Sequence, residues 1–178
     1  GRGLKGYTLG IFGLGKQGLQ VVGYAKAFGM RIIAWSHNLK QEDCEKVGVV
    51  HVSSADLFKM SDILTIHTRL SDRTLGYIDE YNLNLMKKSS IIVNTSRGPI
   101  IKEHDLIKAL NNNVISGAAL DVYDEEPLPR EHILRKTKNL ILTPHIGYVS
   151  EEAYEKFFNG YLKAIEGFIE KKPVNQIS

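Results

Sequence analysis

Cysteine is nearly absent: Cys44 is the only one in 178 residues. A single thiol builds neither a disulfide framework nor a cysteine metal cluster. Its neighbours Glu42, Asp43 and Glu45 are polar, so it reads as an ordinary thiol of a polar helix, not a nucleophile. No metal site is expected. No apolar run is long enough to span a bilayer, and no signal-peptide pattern opens the chain. An excess of one charge is lacking too: 23 Lys and Arg against 20 Asp and Glu leave a net charge of +3. The cations are scattered, and no basic stripe alternates with aromatics, which argues against a nucleic-acid partner. Internal repeats and low-complexity segments are missing. The expectation is a cytoplasmic protein that works without membrane or nucleic acid. With 43% apolar and 24% charged residues, the chain has an ordinary globular balance and the length for one core.

What is present in quantity is glycine, and three glycines organise the chain. Thr8-Leu9-Gly10-Ile11-Phe12 is a short apolar run. It meets Gly13, Gly15 and Gly18 in the spacing G-x-G-x-x-G, and Leu19 to Phe28 then reads as a helix. Strand, glycine turn and helix in that order are the context of a dinucleotide fingerprint. Gly13 permits the tight turn, Gly15 lets backbone approach a pyrophosphate, and Gly18 lets the helix pack close on the strand. The free N–H groups and the positive end of the helix dipole then face the phosphates. A purely structural strand-helix turn is the alternative.

Strands and helices alternate through most of the remaining chain. Met30 to Trp35 reads as a buried second strand, whose end should reach the adenosine ribose. An Asp or Glu normally takes the ribose 2′-OH there. Here Ser36-His37-Asn38 stand in its place, and they would not repel a 2′-phosphate. Arg31 and Lys40 are nearby cations. The cofactor is therefore NAD or NADP, with a lean to NADP tolerance. Residues 41–46 read as a short polar helix, 47–52 as a strand, and Ser54 as the cap of a helix over 55–60. Residues 62–67 form a strand ending in His67 and Thr68. Asp79 caps a helix to about Met86. Residues 90–94 form a strand followed by Thr95-Ser96-Arg97-Gly98, and 102–111 read as a helix. Residues 116–120 form a strand with Asp121 at its end. A long loop over 122–138 precedes a last strand, 140–142, and Thr143-Pro144-His145-Ile146-Gly147. Ser150 then caps a long helix to about Glu170, with Tyr154, Phe157, Phe158, Tyr161, Leu162, Ile165 and Phe168 at helical spacing. An ordinary buried face is the simple reading, and cover by another segment or a partner is the other. Pro173 closes the helix before an extended tail, 174–177. The pattern calls for an α/β fold: a Rossmann-type, doubly wound, mainly parallel sheet of about seven strands. Residues 1–149 would form the dinucleotide-binding domain, and 150–178 a C-terminal helix and tail.

Arg97, Glu126 and His145 each follow a strand, and strand ends in this architecture converge on one crevice. Reducing a keto acid by hydride transfer needs a cation to hold the carboxylate and polarise the carbonyl, which arginine's fork does. It needs a proton donor near neutral pH, histidine's range, and a carboxylate to orient that histidine. Spacing alone also allows a surface cation, one acid among Asp124-Glu125-Glu126, and a loop histidine.

Four motifs settle on one family. Gly13-Leu14-Gly15-Lys16-Gln17-Gly18, Asn94-Thr95-Ser96-Arg97-Gly98-Pro99, Leu120-Asp121-Val122-Tyr123-Asp124-Glu125-Glu126-Pro127 and Thr143-Pro144-His145-Ile146-Gly147 together resemble the D-isomer-specific 2-hydroxyacid dehydrogenases. The order and spacing match over nearly the whole chain. The resemblance implies that Arg97 binds the substrate carboxylate and carbonyl. It implies that His145 is the acid/base for the keto oxygen, hydrogen-bonded by Glu126. Asp121 would face the nicotinamide carboxamide, Thr95 and Ser96 the nicotinamide half, and Gly147 would also belong to the cofactor site. His67, Thr68 and Thr74 would lie on the adenosine and phosphate side, and Lys16 and Gln17 on the pyrophosphate. Two departures matter. Ser36 replaces the acidic residue of NAD-specific members. The family's N-terminal substrate domain is also missing, so the chain is expected to be the nucleotide domain plus a helix returning toward that domain, with weak activity alone. Homodimerisation is the family expectation. A dehydrogenase-like corepressor that senses NAD(H) is the alternative function, since it keeps the same three residues. Formate dehydrogenase is disfavoured, because that branch carries glutamine where Glu126 stands.

Overall fold

The computed structural model describes residues 3–174. Of the expected extended tail only Val174 falls among them; the rest lies outside the described residues. Seven strands form one sheet: β1 (Thr8–Phe12), β2 (Arg31–Trp35), β3 (Val50–His51), β4 (Ile63–Ile66), β5 (Ile91–Asn94), β6 (Gly117–Leu120) and β7 (Leu140–Leu142). Their order is β3-β2-β1-β4-β5-β6-β7, and every pairing is parallel. This is the doubly wound sheet that the strand-helix alternation calls for.

The two-residue side-chain alternation of a strand sorts β1 between two cores. Leu9 and Ile11 pack with Val22, Ala25, Ile32 and Ala34 on one face. Phe12 packs with Leu57, Phe58, Leu64 and Ile66 on the other. Parallel strands covered on both faces are apolar throughout, and all five residues of β1 are buried. The crossovers are helical: α1 (Lys16–Ala27), α2 (Gln41–Glu45), α3 (Ser54–Met60), α4 (Glu80–Leu85) and α5 (Glu103–Asn111). At α3 the cap is Ser53, whose hydroxyl accepts from the Asp56 N–H, and not Ser54. Asp79 caps α4 as expected. The strand expected over 47–52 shrinks to two residues, because Val47 to Val49 close the end of α2 through hydrogen bonds to Cys44 and Glu45. Cys44 itself is fully buried. It is a core residue on the inner face of α2, and burial pushes its thiol pKa up.

Chain order reverses between β1 and β4. The first three strands run outward from β1 in one direction and the next four in the other. Ligand crevices of open α/β sheets form at this switch point, beyond the strand C-termini.

Residues up to Pro144 form one compact unit and those from His145 a second. The second contains α6 (Glu151–Ile169), capped by the Ser150 hydroxyl, which accepts from the Ala153 N–H. The aromatic face of α6 is not an ordinary buried face. Phe168 is 80% exposed and Tyr161 68%, and Gly167 is the only α6 residue that is buried. One helix supplies no second layer to bury its own apolar stripe.

Candidate cofactor site

The site grows from the turn after β1. Gly13 sits at φ +103°, a conformation that costs a residue with a Cβ dearly. A Cβ there would also stand 2.6 Å from the Thr68 nitrogen. Its own N–H donates to the Trp35 carbonyl at 3.0 Å, while the His67 N–H donates to the Phe12 carbonyl at 2.8 Å. The ends of β2, β1 and β4 are thereby tied together. At Gly18 a Cβ would collide with the Gly13 carbonyl oxygen, so this glycine sets how closely α1 leans on the turn. Gly15 differs: a Cβ there meets nothing within 4 Å.

Gly15 is also the N-cap of α1, and it leaves that helix end bare. No side chain caps it and its first turn holds no acid. By contrast, Ser53, Asp79 and Ser150 cap α3, α4 and α6. An α-helix begins with N–H groups that lack intrahelical partners and carries partial positive charge there. At α1 they border a crevice of about 1060 Å³, lined by Gly13, Gly15, Lys16 and Gln17 from this turn. Ser36 and Asn38 line it after β2, His67 and Thr68 after β4, and Ser96 and Arg97 after β5. The strand order sets these groups out in series along the sheet edge, with the glycine turn between the β2 and β4 residues.

Each group has a local anchor. The His67 ring nitrogen Nε2 and the Thr65 hydroxyl lie 2.9 Å apart. Burial holds the imidazole below its ordinary pKa, hence neutral near pH 7. Ser96 donates its hydroxyl to the Thr68 carbonyl at 2.5 Å, which joins the loops after β4 and β5. Arg97 Nη1 donates to the Ser96 carbonyl at 2.6 Å. The buried Asn94 amide closes this turn, donating to the Arg97 carbonyl and accepting from the Ser96 N–H. In the sequence Asn94 ends a strand and opens a motif, with no role of its own assigned. Its signal is an amide at a strand end followed by a polar turn.

Gly98, which the sequence shows only as part of that motif, holds two loops together. A Cβ on it would run into the Tyr123 carbonyl group and stand 2.6 Å from the Asp124 nitrogen. The Arg97 turn therefore rests on the loop that carries Glu126. There the Tyr123 N–H donates to Glu126 Oε1 at 2.9 Å. The Tyr123 hydroxyl reaches the Thr143 carbonyl at 2.7 Å, and the Thr143 hydroxyl donates to Asp121 Oδ1 at 2.5 Å. Asp121 is buried.

Other candidates take different places. His37 does not line the crevice: its ring packs on Trp35 and Tyr77, at centroid distances of 4.9 and 5.3 Å. After β2 the chain turns, with the Leu39 N–H donating to the Ser36 carbonyl at 3.2 Å, and Ser36 and Asn38 line the crevice while His37 does not. Thr74 is buried and spans its own loop, donating to the Arg69 carbonyl at 2.7 Å and accepting from the Ser71 N–H at 2.8 Å. Thr95 and Asp121 are not among the residues lining the crevice. Arg31 begins β2, at the far end from Ser36, where its charge helps hold Asp62 ionised. Arg97 and Glu126 belong to the first unit, His145 and Gly147 to the second. His145 has the left-handed φ of +55°, and its ring meets Tyr148 edge-on, 6.1 Å between centroids. Among the described residues, no group of three or more His, Cys, Asp or Glu could hold a metal ion, and no helix is long and apolar enough to cross a membrane.

Comparison with known proteins gives the family and the fold. Residues 1–147 match the family model of the D-isomer specific 2-hydroxyacid dehydrogenase NAD binding domain. A glyoxylate reductase from Thermococcus litoralis is 45% identical over 155 residues, which is 87% of this chain and 46% of that protein. A D-3-phosphoglycerate dehydrogenase from Methanocaldococcus jannaschii is 45% identical over 151 residues, 84% of this chain and 29% of that one. A phosphoglycerate oxidoreductase from Vibrio cholerae has the same fold, with a TM-score of 0.90 and 35% identity over 96% of this chain and 55% of that one. The chain thus spans about half or less of the length of these relatives. A bare helix end on a glycine turn, at the switch point of an all-parallel sheet, and a family match over residues 1–147 lead to one conclusion: the chain belongs to the D-isomer specific 2-hydroxyacid dehydrogenase family, as its NAD-binding domain.

Proposed function

We propose that this chain is the cofactor-binding half of an oxidoreductase that passes a hydride between NAD(P)H and a small 2-keto or 2-hydroxy acid, glyoxylate being the first candidate. One observation carries the reading: the uncapped N-terminus of α1 borders a large crevice, and Gly15 leaves open space beside it. Orphan N–H groups and the helix dipole suit a pyrophosphate, and an alanine methyl would fill the space it needs.

When bound, the nicotinamide supplies or accepts the hydride. The chain's own residues do the rest. Lys16 and Gln17 offer backbone N–H groups to the pyrophosphate. Arg97, fixed through Asn94 and Ser96, presents a guanidinium to the substrate carboxylate and keto oxygen. His145 is assigned the proton for that oxygen, and Glu126 the orientation of His145. Asp121, held by Thr143, is assigned the nicotinamide carboxamide. Positioning of substrate and exclusion of water fall to a separate substrate domain, so the isolated chain is expected to turn over slowly.

Calorimetric titration with NADH and NADPH tests the cofactor half of the proposal. Loss of reduced-nicotinamide absorbance on adding glyoxylate, compared with Arg97→Ala, tests the reaction. The expected result is saturable binding of at least one cofactor and slow turnover that Arg97→Ala abolishes. No heat with either nucleotide from a folded sample refutes the proposal.

A further inference from the structure

The loops after β2 and β4 are locked to each other at the place where the ribose of a dinucleotide is read. Trp35 at the end of β2 stacks on Tyr77, with ring centroids 5.3 Å apart and planes 24° apart. His37 wedges against both rings. The Tyr77 hydroxyl lies 2.7 Å from the Ser54 hydroxyl. This ring cluster turns Ser36 and Asn38 into the crevice and brings the loop containing Arg73 alongside them. Arg73 Nη1 donates to Asn38 Oδ1 at 3.3 Å. Among the described residues, no carboxylate pairs with this guanidinium.

The charges at this end point to its ligand. The position after β2 ordinarily offers a carboxylate to the ribose 2′-OH of NAD. Here it is Ser36, which is neutral. Asp43 and Lys46 also border this end, but they pair with each other at 3.1 Å and offset one another. Arg73 is not itself among the lining residues, but its contact with Asn38 holds it beside one that is. A guanidinium has five N–H donors in a planar fork, and Asn38 takes one of them. The others suit a dianionic phosphate. Arg69, from the same loop, and Lys16 line the crevice and add positive potential.

We infer that Arg73, oriented by Asn38, is the specificity-determining residue that selects a 2′-phosphorylated cofactor, so that this site prefers NADP(H) to NAD(H). The inference rests on the nucleotide reading of the crevice and deepens it. Arg73 comes from the loop after β4, not from the segment after β2, and it reaches the ribose end only because the ring cluster joins the two loops.

Two small probes separate this selection from the rest of the cofactor: adenosine 2′,5′-bisphosphate and 5′-AMP. Both are titrated into the full chain and into Arg73→Ala. The unmodified chain is expected to bind the bisphosphate at least tenfold more tightly than 5′-AMP. Arg73→Ala should weaken the bisphosphate by roughly tenfold to a hundredfold, the span of charge-assisted hydrogen bonds, and change 5′-AMP by less than about twofold. Ser36→Asp should reverse the preference with Arg73 in place. The Arg73 contact is exposed, so an unchanged melting temperature will show that Arg73→Ala folds. If Arg73→Ala weakens both probes equally, or neither, the selection is overturned while the nucleotide site stands. If neither probe binds the unmodified chain, the nucleotide reading itself fails, and this inference with it.

Discussion

Alanine at Gly15 should separate binding from folding, because the three glycines of one motif do different physical work. In the folded chain Gly15 has φ −83° and ψ −164°, an extended conformation that alanine adopts freely. Its Cβ would meet nothing within 4 Å. Two small effects then oppose each other. Restricting the unfolded chain stabilises by about 0.4–1 kcal/mol. Exchanging glycine for alanine at an N-cap costs a comparable amount. The net change should stay within about 0.5 kcal/mol, or roughly 2 °C in melting temperature for a chain of this size. Gly13→Ala is different. Its Cβ would lie 2.6 Å from the Thr68 nitrogen, where ordinary contact begins at 3.4 Å. Backbone must move by about 0.8 Å where β1 is bonded to β4, and φ +103° adds strain. Together these cost roughly 2–5 kcal/mol, which lowers melting by about 5–15 °C. Gly18→Ala, which drives a methyl into the Gly13 carbonyl, should behave in the same way. Binding runs the other way: Gly15→Ala should lose at least tenfold in NADPH or NADH affinity, about 1.4 kcal/mol, since its methyl occupies the pyrophosphate space. Melting followed by circular dichroism and calorimetric titration measure the two effects. Gly15→Ala binding both cofactors like the unmodified chain would show that Gly15 does not make room for a pyrophosphate. Melting as low as Gly13→Ala would show that its Cβ meets the fold after all.

Gly98→Ala should destabilise by roughly 1–3 kcal/mol and weaken substrate turnover more than cofactor binding, because it pries the Arg97 turn from the Tyr123 backbone; equal melting temperatures would contradict this. Burial pushes the Asp62 carboxyl up, but its hydrogen bonds from Lys87 at 2.7 Å and the Thr8 N–H at 2.8 Å, with the charges of Lys87 and Arg31, hold it below the usual carboxylate range. Its folded pKa is depressed, so its stabilisation is present above about pH 4 and lost as pH falls through the folded value. Asp62→Ala should cost roughly 1–3 kcal/mol near neutrality, and the gap to the unmodified chain should close in acid, as read by urea unfolding across pH. Burial depresses the His67 pKa, so between that value and about 6.5 the unfolded chain binds more protons than the folded one. Stability should therefore fall as pH drops through this window, and His67→Gln should flatten that slope; an imidazole titrating at its ordinary value by NMR would contradict the assignment. Phe168→Ser, at a position 80% exposed, should shift stability by no more than about 0.5 kcal/mol, whereas a loss above 2 kcal/mol would show that α6 has cover.

Much of the architecture is legible in the chain because its signals are local. Strands of a parallel sheet are covered on both faces, so β1, β4 and β5 appear as short apolar runs bounded by turns. Gly13, Gly15 and Gly18 mark a strand-to-helix turn through spacing alone, and Asp79 and Ser150 mark helix starts through side-chain chemistry that acts within three residues. The turn carrying Ser96 and Arg97 is legible for the same reason: it follows directly from a strand end. Other features depend on what lies opposite in space. That Cys44 is core while Phe168 is exposed follows from which helix has a layer to pack on, not from either residue's own polarity. That His37 faces rings while Asn38 faces the crevice depends on Tyr77, forty positions on. The meeting of Arg73 with Asn38 and the pressing of Gly98 onto Tyr123 join segments distant in sequence. By itself the sequence determined the parallel sheet, because periodicity and turn chemistry are written residue by residue, and its four motifs carried the resemblance to the family. Only the tertiary structure decided which cation meets Asn38 and which loop Gly98 presses on, because those are properties of distances between loops.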